Sequence, residues 1–498
     1  MVSAASTSAL SQRERDVLEW VPTELLIGGQ WCAASGGGTL AVEDPATTQP
    51  LVEVADAQPQ DAIDALAAAG DAQAQWAAHP PRERGEILRR AYEAIVEKTD
   101  DLALLMTLEM GKSVAESRAE IAYAAEFFRW FSEEAVRIHG RYMVNTTGKG
   151  RLLTMRQPVG PCVFVTPWNF PTAMGTRKIA PAIAAGCTMV VKPAKQTPLS
   201  MFALAKILQE AGLPDGVLNV IAAKSAGAVI EPLLKDERTR KLSFTGSTEV
   251  GRSLIEQSAQ QILRVSMELG GNAPFLVFED ADLDAAVEGA MLAKMRNVGE
   301  ACTAANRFHV HESLAAEFSR KLAERMGALT VGRGTEPGVD VGPLIDEAQR
   351  TKVTELVSDA VGRGAQVLVG GRPLSGPAYP GYFYEPTVLA DVPDDARLLG
   401  EEIFGPVAPI ATFTSDEQAL AAANRTEYGL VAYVYTRDLE RAFHVCEGIE
   451  SGMIGLNQGV VSNPAAPFGG VKQSGFGREG GFEGIGEYLE TKYVAMAV

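Results

Sequence analysis

A thiol, a carboxylate and an amide stand where the sequence leaves them accessible, and each suits one step of nucleophilic chemistry. Cys302 lies in Asn297-Val298-Gly299-Glu300-Ala301-Cys302-Thr303-Ala304-Ala305-Asn306, between a helical pattern and a strand-like run, and its small neighbours leave room for a ligand. Cys162 and Cys187 fall inside apolar runs, where burial raises a thiol pKa and blocks access, so both read as core. A lone cysteine is more often an inert small hydrophobe, so access alone makes Cys302 a candidate. Glu268 ends Arg264-Val265-Ser266-Met267 and enters Leu269-Gly270-Gly271-Asn272. A carboxylate aimed into a glycine-lined space is either salt-bridged or kept for proton transfer, because burying it bare is costly. Thr166-Pro167-Trp168-Asn169-Phe170-Pro171 closes another strand. Asn169 brings an amide donor of the kind that holds an oxyanion, or else satisfies its own backbone in a proline-framed turn.

Two segments offer anion chemistry. Gly246-Ser247-Thr248-Glu249-Val250-Gly251-Arg252-Ser253 follows a strand and opens a helix, but Arg252 stands where a P-loop carries lysine. ATP hydrolysis is therefore not indicated, while free N–H groups at a helix start suit a pyrophosphate; an ordinary capped turn is the alternative. Lys192-Pro193-Ala194-Lys195 ends an apolar strand, where a doubly wound sheet has its ligand crevice. A cation there suits the 2′-phosphate of NADP, unless both lysines are simply solvated. Gly475-Phe476-Gly477-Arg478-Glu479-Gly480 spells a dinucleotide fingerprint, but no strand precedes it, so it reads as a chance match. His309 and His311 face one way on a strand with no third ligand near, no cysteines are spaced C-x-x-C, and no metal site is expected.

The elements that must position these groups are an α/β set. Short apolar runs at 162–165, 187–191, 217–221 and 241–244 alternate with helical patterns around 175–185, 199–211, 225–235 and 248–258, the signature of a parallel sheet. A second such pattern follows, with strands at 274–278, 307–311 and 365–369 and helices around 281–296 and 313–326. Upstream, helical periodicity begins at Asp61, a second helix holds Ile87, Tyr92, Ile95 and Leu102, and a third spans about Ser113 to His139. Residues 1–22 read as a polar arm without a packing pattern, and Val331 to Pro386 as loops. The tail from Glu487 alternates as a strand lacking a hairpin partner, which suggests pairing elsewhere in an assembly.

With 498 residues there is room for two to four domains at roughly 100–200 residues each. The 45 Lys and Arg against 63 Asp and Glu give a net charge of −18, which argues against a nucleic-acid platform. Ile179 to Val191 contains Pro181 and Gly186 and falls short of the roughly 20 residues that a membrane span needs. No secretory start is visible and the five cysteines are scattered, so a cytoplasmic location with reduced thiols is expected.

Taken together, Pro167 to Pro171, Lys192-Pro193-Ala194, Phe244-Thr245-Gly246-Ser247, Met267 to Asn272, the Cys302 segment, Glu401-Glu402-Ile403-Phe404-Gly405-Pro406-Val407 and Pro467-Phe468-Gly469-Gly470 resemble the aldehyde dehydrogenase superfamily over nearly the whole chain. Within it, Arg177-Lys178, Arg296 and Ser462 look most like succinate-semialdehyde dehydrogenases. The resemblance implies an aldehyde dehydrogenase fold: a Rossmann-type NAD(P)-binding domain at 23–141 and 160–268, a catalytic α/β domain at 269–477, and small β bridging segments at 142–159 and 478–498 in a homodimer or homotetramer. It implies Cys302 as nucleophile, Asn169 and the Cys302 N–H as oxyanion donors, and Glu268 as base for the hydrolytic water. The cofactor site would include Thr166, Trp168, Lys192, Lys195, Gly246, Ser247, Leu269, Glu402 and Phe404, with Glu402 on a ribose. Arg177, Arg296 and Ser462 would grip the distal carboxylate of a small acidic aldehyde.

Three departures from the family pattern bear on this. Most members carry Gln where Glu300 stands, and a charge there would raise the thiol pKa if it faced the sulfur. Ala304 replaces the second cysteine of some relatives, which excludes a local disulfide. Lys195 stands where NAD-preferring members often have Glu, which favours NADP over NAD. Glutarate semialdehyde is the rival substrate; a CoA-acylating enzyme and a silent relative of the fold are alternatives that Glu268 and the Cys302, Glu268 and Asn169 set weigh against.

Overall fold

The computed structural model describes residues 10–497. Eight strands form the first sheet, in the order Gln30–Cys32, Leu25–Ile27, Leu218–Val220, Met189–Lys192, Cys162–Val165, Lys241–Thr245, Arg264–Glu268 and Gly475–Phe476. The five from Leu218–Val220 to Arg264–Glu268 are parallel. Helices cover both faces, so these strands are apolar continuously rather than alternately, as Cys162-Val163-Phe164-Val165 shows. From Cys162–Val165 the chain steps outward through two strands and then returns to place Lys241–Thr245 on the other side. That reversal makes the carboxyl ends of Cys162–Val165 and Lys241–Thr245 the two lips of the ligand crevice of a doubly wound sheet.

A second sheet of seven strands, largely parallel, runs Gln366–Val369, Thr387–Ala390, Val407–Phe413, Ala305–His311, Ala273–Val277, Val431–Tyr435 and Met453–Leu456. Its core stacks Phe275 against Tyr435 and Phe308. A third, antiparallel sheet joins Arg141–Val144, Arg151–Pro158 and Leu489–Met496. The terminal strand, expected to pair in an assembly, finds a partner inside the chain, in full register from Leu489 opposite Pro158 to Met496 opposite Arg151, and forms an edge of that sheet.

Three expectations fail for physical reasons. Residues 1–9 of the supposed arm lie outside the described residues, but Gln12–Trp20 is a helix with a Ser11–Glu14 capping box, and Val17, Leu18 and Val21 are in the core. One apolar stripe suffices when tertiary contacts complete it. Within the supposed loops, Glu347–Gly362 is a helix that buries Val353, Leu356, Val357 and Ala360, a helical spacing obscured by glycines and prolines further along. The helix expected to hold Ile87 through Leu102 is two, Pro81–Glu97 and Thr99–Met110, broken at Lys98.

Candidate active site

Cys302 stands where the helix Leu283–Met295 turns back into the strand Ala305–His311. The connection is strained: Asn297, Val298 and Gly299 follow one another at φ 55, 60 and 78°. A β-branched residue in that region costs on the order of 1–3 kcal/mol and persists only where its surroundings over-determine it. Here they do. The Asn297 N–H donates to Glu116 Oε2 at 3.2 Å, and its side-chain amide donates to Asn169 O at 2.9 Å and Glu300 O at 2.8 Å. Gly299 lies against Gly405 O, where a side chain would be 2.2 Å from the oxygen.

Glu268, at the carboxyl end of its strand, is 3% exposed, and its Oε2 has no partner. Burial first, and then Glu479, pushes its carboxyl well above the usual range, while Arg177, Lys178 and Arg478 pull the other way. The loop after it packs on the cysteine, since a Cβ on Gly271 would lie 2.4 Å from Cys302 O. The Cys302 thiol is pushed up to about 12, chiefly by burial and against the pull of Arg177. The residue still keeps part of its surface open.

Asn169 follows the strand Cys162–Val165 and reaches the same segment: its Nδ2 donates to Glu300 O at 3.0 Å, two residues before the cysteine. Its Oδ1 is buried without a partner. The Glu300 side chain turns instead to the Ile345 N–H at 3.1 Å, and burial pushes its carboxyl well above the usual range.

Beside these groups lies a lining of cations and aromatic rings. Arg296 donates to Ser462 Oγ at 3.1 Å, and its guanidinium lies 5.1 Å from the Phe170 centroid and 5.7 Å from that of Tyr123. Arg177 sits 3.8 Å over Phe468, its Nη2 2.6 Å from Glu479 Oε2. The Tyr123 hydroxyl and Arg177 Nε are buried with no partner.

The residues expected to hold the cofactor frame the crevice between the two strand ends. Thr166 and Thr245, one on each lip, bury hydroxyls without partners. Ser247 caps the helix Thr248–Ser258 beyond Gly246, and Leu269 packs against Gly251 of that helix. Lys192 ends its strand buried, with its pKa lowered to about 8 by burial and then by exposed Lys195. Glu402 accepts the Gly271 N–H at 3.0 Å, and burial pushes it up to about 7. Phe404 meets Trp168 edge to face, 5.4 Å between centroids. Arg252 turns away to Glu427 and Gln473. The glycine-rich Gly475 segment adds a two-residue strand antiparallel to the strand of Glu268 and brings Glu479 to Arg177 and Lys178.

Residues 31–494 match the model of the aldehyde dehydrogenase family. A succinate-semialdehyde dehydrogenase of Paenarthrobacter nicotinovorans is 60% identical over 447 residues, 90% of this chain and 99% of that one. A glutarate-semialdehyde dehydrogenase of Pseudomonas putida is 49% identical over 95% of this chain and 97% of its own. The crystal structure of an NADP-dependent enzyme of Escherichia coli superposes with a TM-score of 0.94 at 48% identity, covering 97% of this chain and 99% of that one.

The chain belongs to the aldehyde dehydrogenase family.

A nicotinamide dinucleotide, the cofactor of an aldehyde dehydrogenase, fits the residues present. The two unpartnered threonine hydroxyls at the switch point, the capped helix start and the partly desolvated Lys192 offer donors and positive charge to a pyrophosphate and its riboses. Sequence reasoning missed Tyr123, Lys112, Glu120 and Glu479. Tyr123 and Glu120 sit in the long helix Val114–Glu134, Lys112 in the linker before it, and Glu479 in the glycine-rich segment read as a chance match, so only their burial as polar groups singles them out. No helix among the described residues is long and apolar enough to cross a membrane.

Proposed function

We propose that this aldehyde dehydrogenase oxidises a short aldehyde that carries a distal carboxylate, succinate semialdehyde first, to the dicarboxylate, with NADP preferred over NAD. The observation that carries the substrate class is the Arg296 and Ser462 pair beside the buried, unpartnered Tyr123 hydroxyl. A cation flanked by neutral donors at the far side of an aromatic-lined pocket suits a carboxylate and wastes its charge on an aliphatic chain. Arg177 borders the same pocket with an unpartnered Nε–H.

In this reading the Cys302 sulfur attacks the aldehyde carbon as thiolate, and the oxygen that becomes negative takes a hydrogen bond from the second N–H of the Asn169 amide and from the Cys302 N–H. Arg177 is the strongest influence that favours the thiolate. When bound against Thr166, Trp168, Lys192, Lys195, Gly246, Ser247, Leu269, Glu402 and Phe404, the nicotinamide supplies the hydride acceptor. Glu268, then deprotonated, takes a proton from water as that water attacks the Cys302 thioester, freeing the acid and the thiol. The NADP preference rests on Lys195, exposed beside Lys192.

On this reading the chain divides into cofactor-binding segments 23–141 and 160–268, a catalytic part 269–477 and bridging segments 142–159 and 478–498. Exposed Tyr142, Val144, Met155 and Tyr493 on the third sheet support a homo-oligomer, and five free thiols suit a reducing cytoplasm. Glutarate semialdehyde is the second reading, because the P. putida relative bears that name and one methylene changes discrimination only modestly.

Initial rates with succinate semialdehyde, glutarate semialdehyde and propanal, each with NAD and NADP, test the proposal. A large kcat/KM advantage for the two acids supports it, and propanal turned over as well as either acid overturns the substrate class.

A further inference from the structure

We propose that Lys112 is a positioning residue: with Glu120 it clamps both ends of the turn Asn169 to Thr172 and so aims the Asn169 amide. The inference rests on the reading of Asn169 as an oxyanion donor.

Lys112 follows Gly111, the left-handed cap of the helix Thr99–Met110, and Glu120 lies on the helix Val114–Glu134. Their charged ends meet at 0% and 1% side-chain exposure. Each ion directs its remaining hydrogen-bonding capacity to the same turn. Lys112 Nζ donates to Asn169 O at 3.0 Å and lies 4.6 Å from the Phe170 ring centroid. Glu120 Oε1 accepts the N–H groups of Thr172 at 2.9 Å and Ala173 at 3.0 Å, where the helix Ala173–Ala185 begins. The Asn297 amide, at 2.9 Å, is the second donor to Asn169 O.

The backbone at Asn169 is therefore fixed from two directions, by the Cys302 segment and by a charge pair from the helical layer. Its side chain gives one N–H to Glu300 O and keeps the other free. A buried ion pair is weak evidence for stability, because desolvation offsets most of its attraction. Its ability to hold an atom in place is another matter, since a donor displaced by about 1 Å can cost on the order of a hundredfold in rate.

Lys112→Met, Glu120→Gln and Asn169→Ala, with the double variant Lys112→Met/Asn169→Ala, are assayed as holoenzymes for kcat, KM and the deuterium isotope effect with 1-deuterated aldehyde. Circular dichroism and NADP affinity report folding. The expected result is that Lys112→Met and Glu120→Gln each lower kcat by about tenfold or more. KM and NADP affinity should stay within about twofold, the isotope effect should rise, and the double variant should be no slower than Asn169→Ala, as for residues acting as one unit. If Lys112→Met does not fold, Glu120→Gln carries the test. Wild-type kcat in the clamp variants while Asn169→Ala is slow overturns the inference alone, as do losses that multiply in the double variant. Wild-type kcat in Asn169→Ala removes the reading of Asn169 itself, and the inference with it.

Discussion

Arg177 and Glu479 form an ion pair beside the catalytic pocket, 2.6 Å between Nη2 and Oε2, with side-chain exposures of 1% and 4%. The other Glu479 oxygen pairs with Lys178. Arg177 is therefore already balanced by a resident carboxylate, whereas Arg296 has as its hydrogen-bond partner the neutral Ser462 hydroxyl. The two arginines, equivalent in sequence reasoning, are unequal in the fold. Arg296→Ala should raise KM for succinate semialdehyde by about tenfold or more, the worth of a charged hydrogen bond to a carboxylate, with propanal nearly unaffected. Arg177→Met should instead slow both aldehydes and lower Tm, because it leaves a buried carboxylate with one cation in place of two. Kinetics of both variants with both aldehydes check this; equal KM effects of Arg296→Ala on the two would refute it.

Cofactor affinity should peak between two titrations. Burial pushes Glu402 up to about 7, so below that pH it is protonated and loses its strength as an acceptor for ribose hydroxyls. Burial lowers Lys192 to about 8, so above that pH it loses the charge that attracts phosphate. NADP should bind tightest between pH 7 and pH 8. Glu402→Gln should flatten the acid limb and Lys192→Met the alkaline one. Binding titrations from about pH 5 to 10, roughly two units beyond either midpoint, read both limbs. A limb that survives its own substitution would show that another group titrates there.

What the sequence revealed follows from how local each signal is. Strands buried on both faces announce themselves as apolar runs, and the helices between them carry a clear period, so the doubly wound sheet and the crevice beside Thr166 and Thr245 were legible. The catalytic candidates were legible because each sits in a glycine- or proline-framed turn at a strand end. The pairing of Leu489–Met496 with Arg151–Pro158 was not, since it joins segments more than 300 residues apart. Nor was the short helix Gln12–Trp20, whose few apolar residues find their partners only in the fold. Tyr123 and Glu120 look like ordinary helical residues, and Lys112 like an ordinary linker lysine, until burial removes water from them. Glu300 illustrates the same limit in reverse: its charge was a concern on paper, and the structure turns its side chain to the Ile345 N–H and buries it, which pushes its carboxyl well above the usual range.

Lys195 is exposed beside Lys192, so replacing it should leave the fold intact. A carboxylate in its place accepts ribose hydroxyls and repels a 2′-phosphate, and discrimination gains from both effects. Lys195→Glu should lower kcat/KM with NADP by about tenfold or more, because a charged hydrogen bond to the phosphate gives way to a repulsion, while activity with NAD rises or holds. Tm should not move. An unchanged ratio between the two cofactors would detach the preference from this lysine.

Glu268 owes its raised carboxyl pKa to burial and to the neighbouring Glu479 charge, which make it a stronger base than an ordinary carboxylate. Glutamine keeps its shape and removes that basicity. Glu268→Gln should therefore still reach the Cys302 thioester and fail to hydrolyse it. The first turnover should appear as a burst of reduced nicotinamide of about one per site, followed by a steady rate lower by about two to four orders of magnitude, the usual worth of a general base. Hydroxylamine, which needs no such base, should discharge the thioester and restore multiple turnovers as the hydroxamate. A variant that shows no burst and no hydroxylamine rescue would place Glu268 before hydride transfer instead, as the group that receives the Cys302 proton.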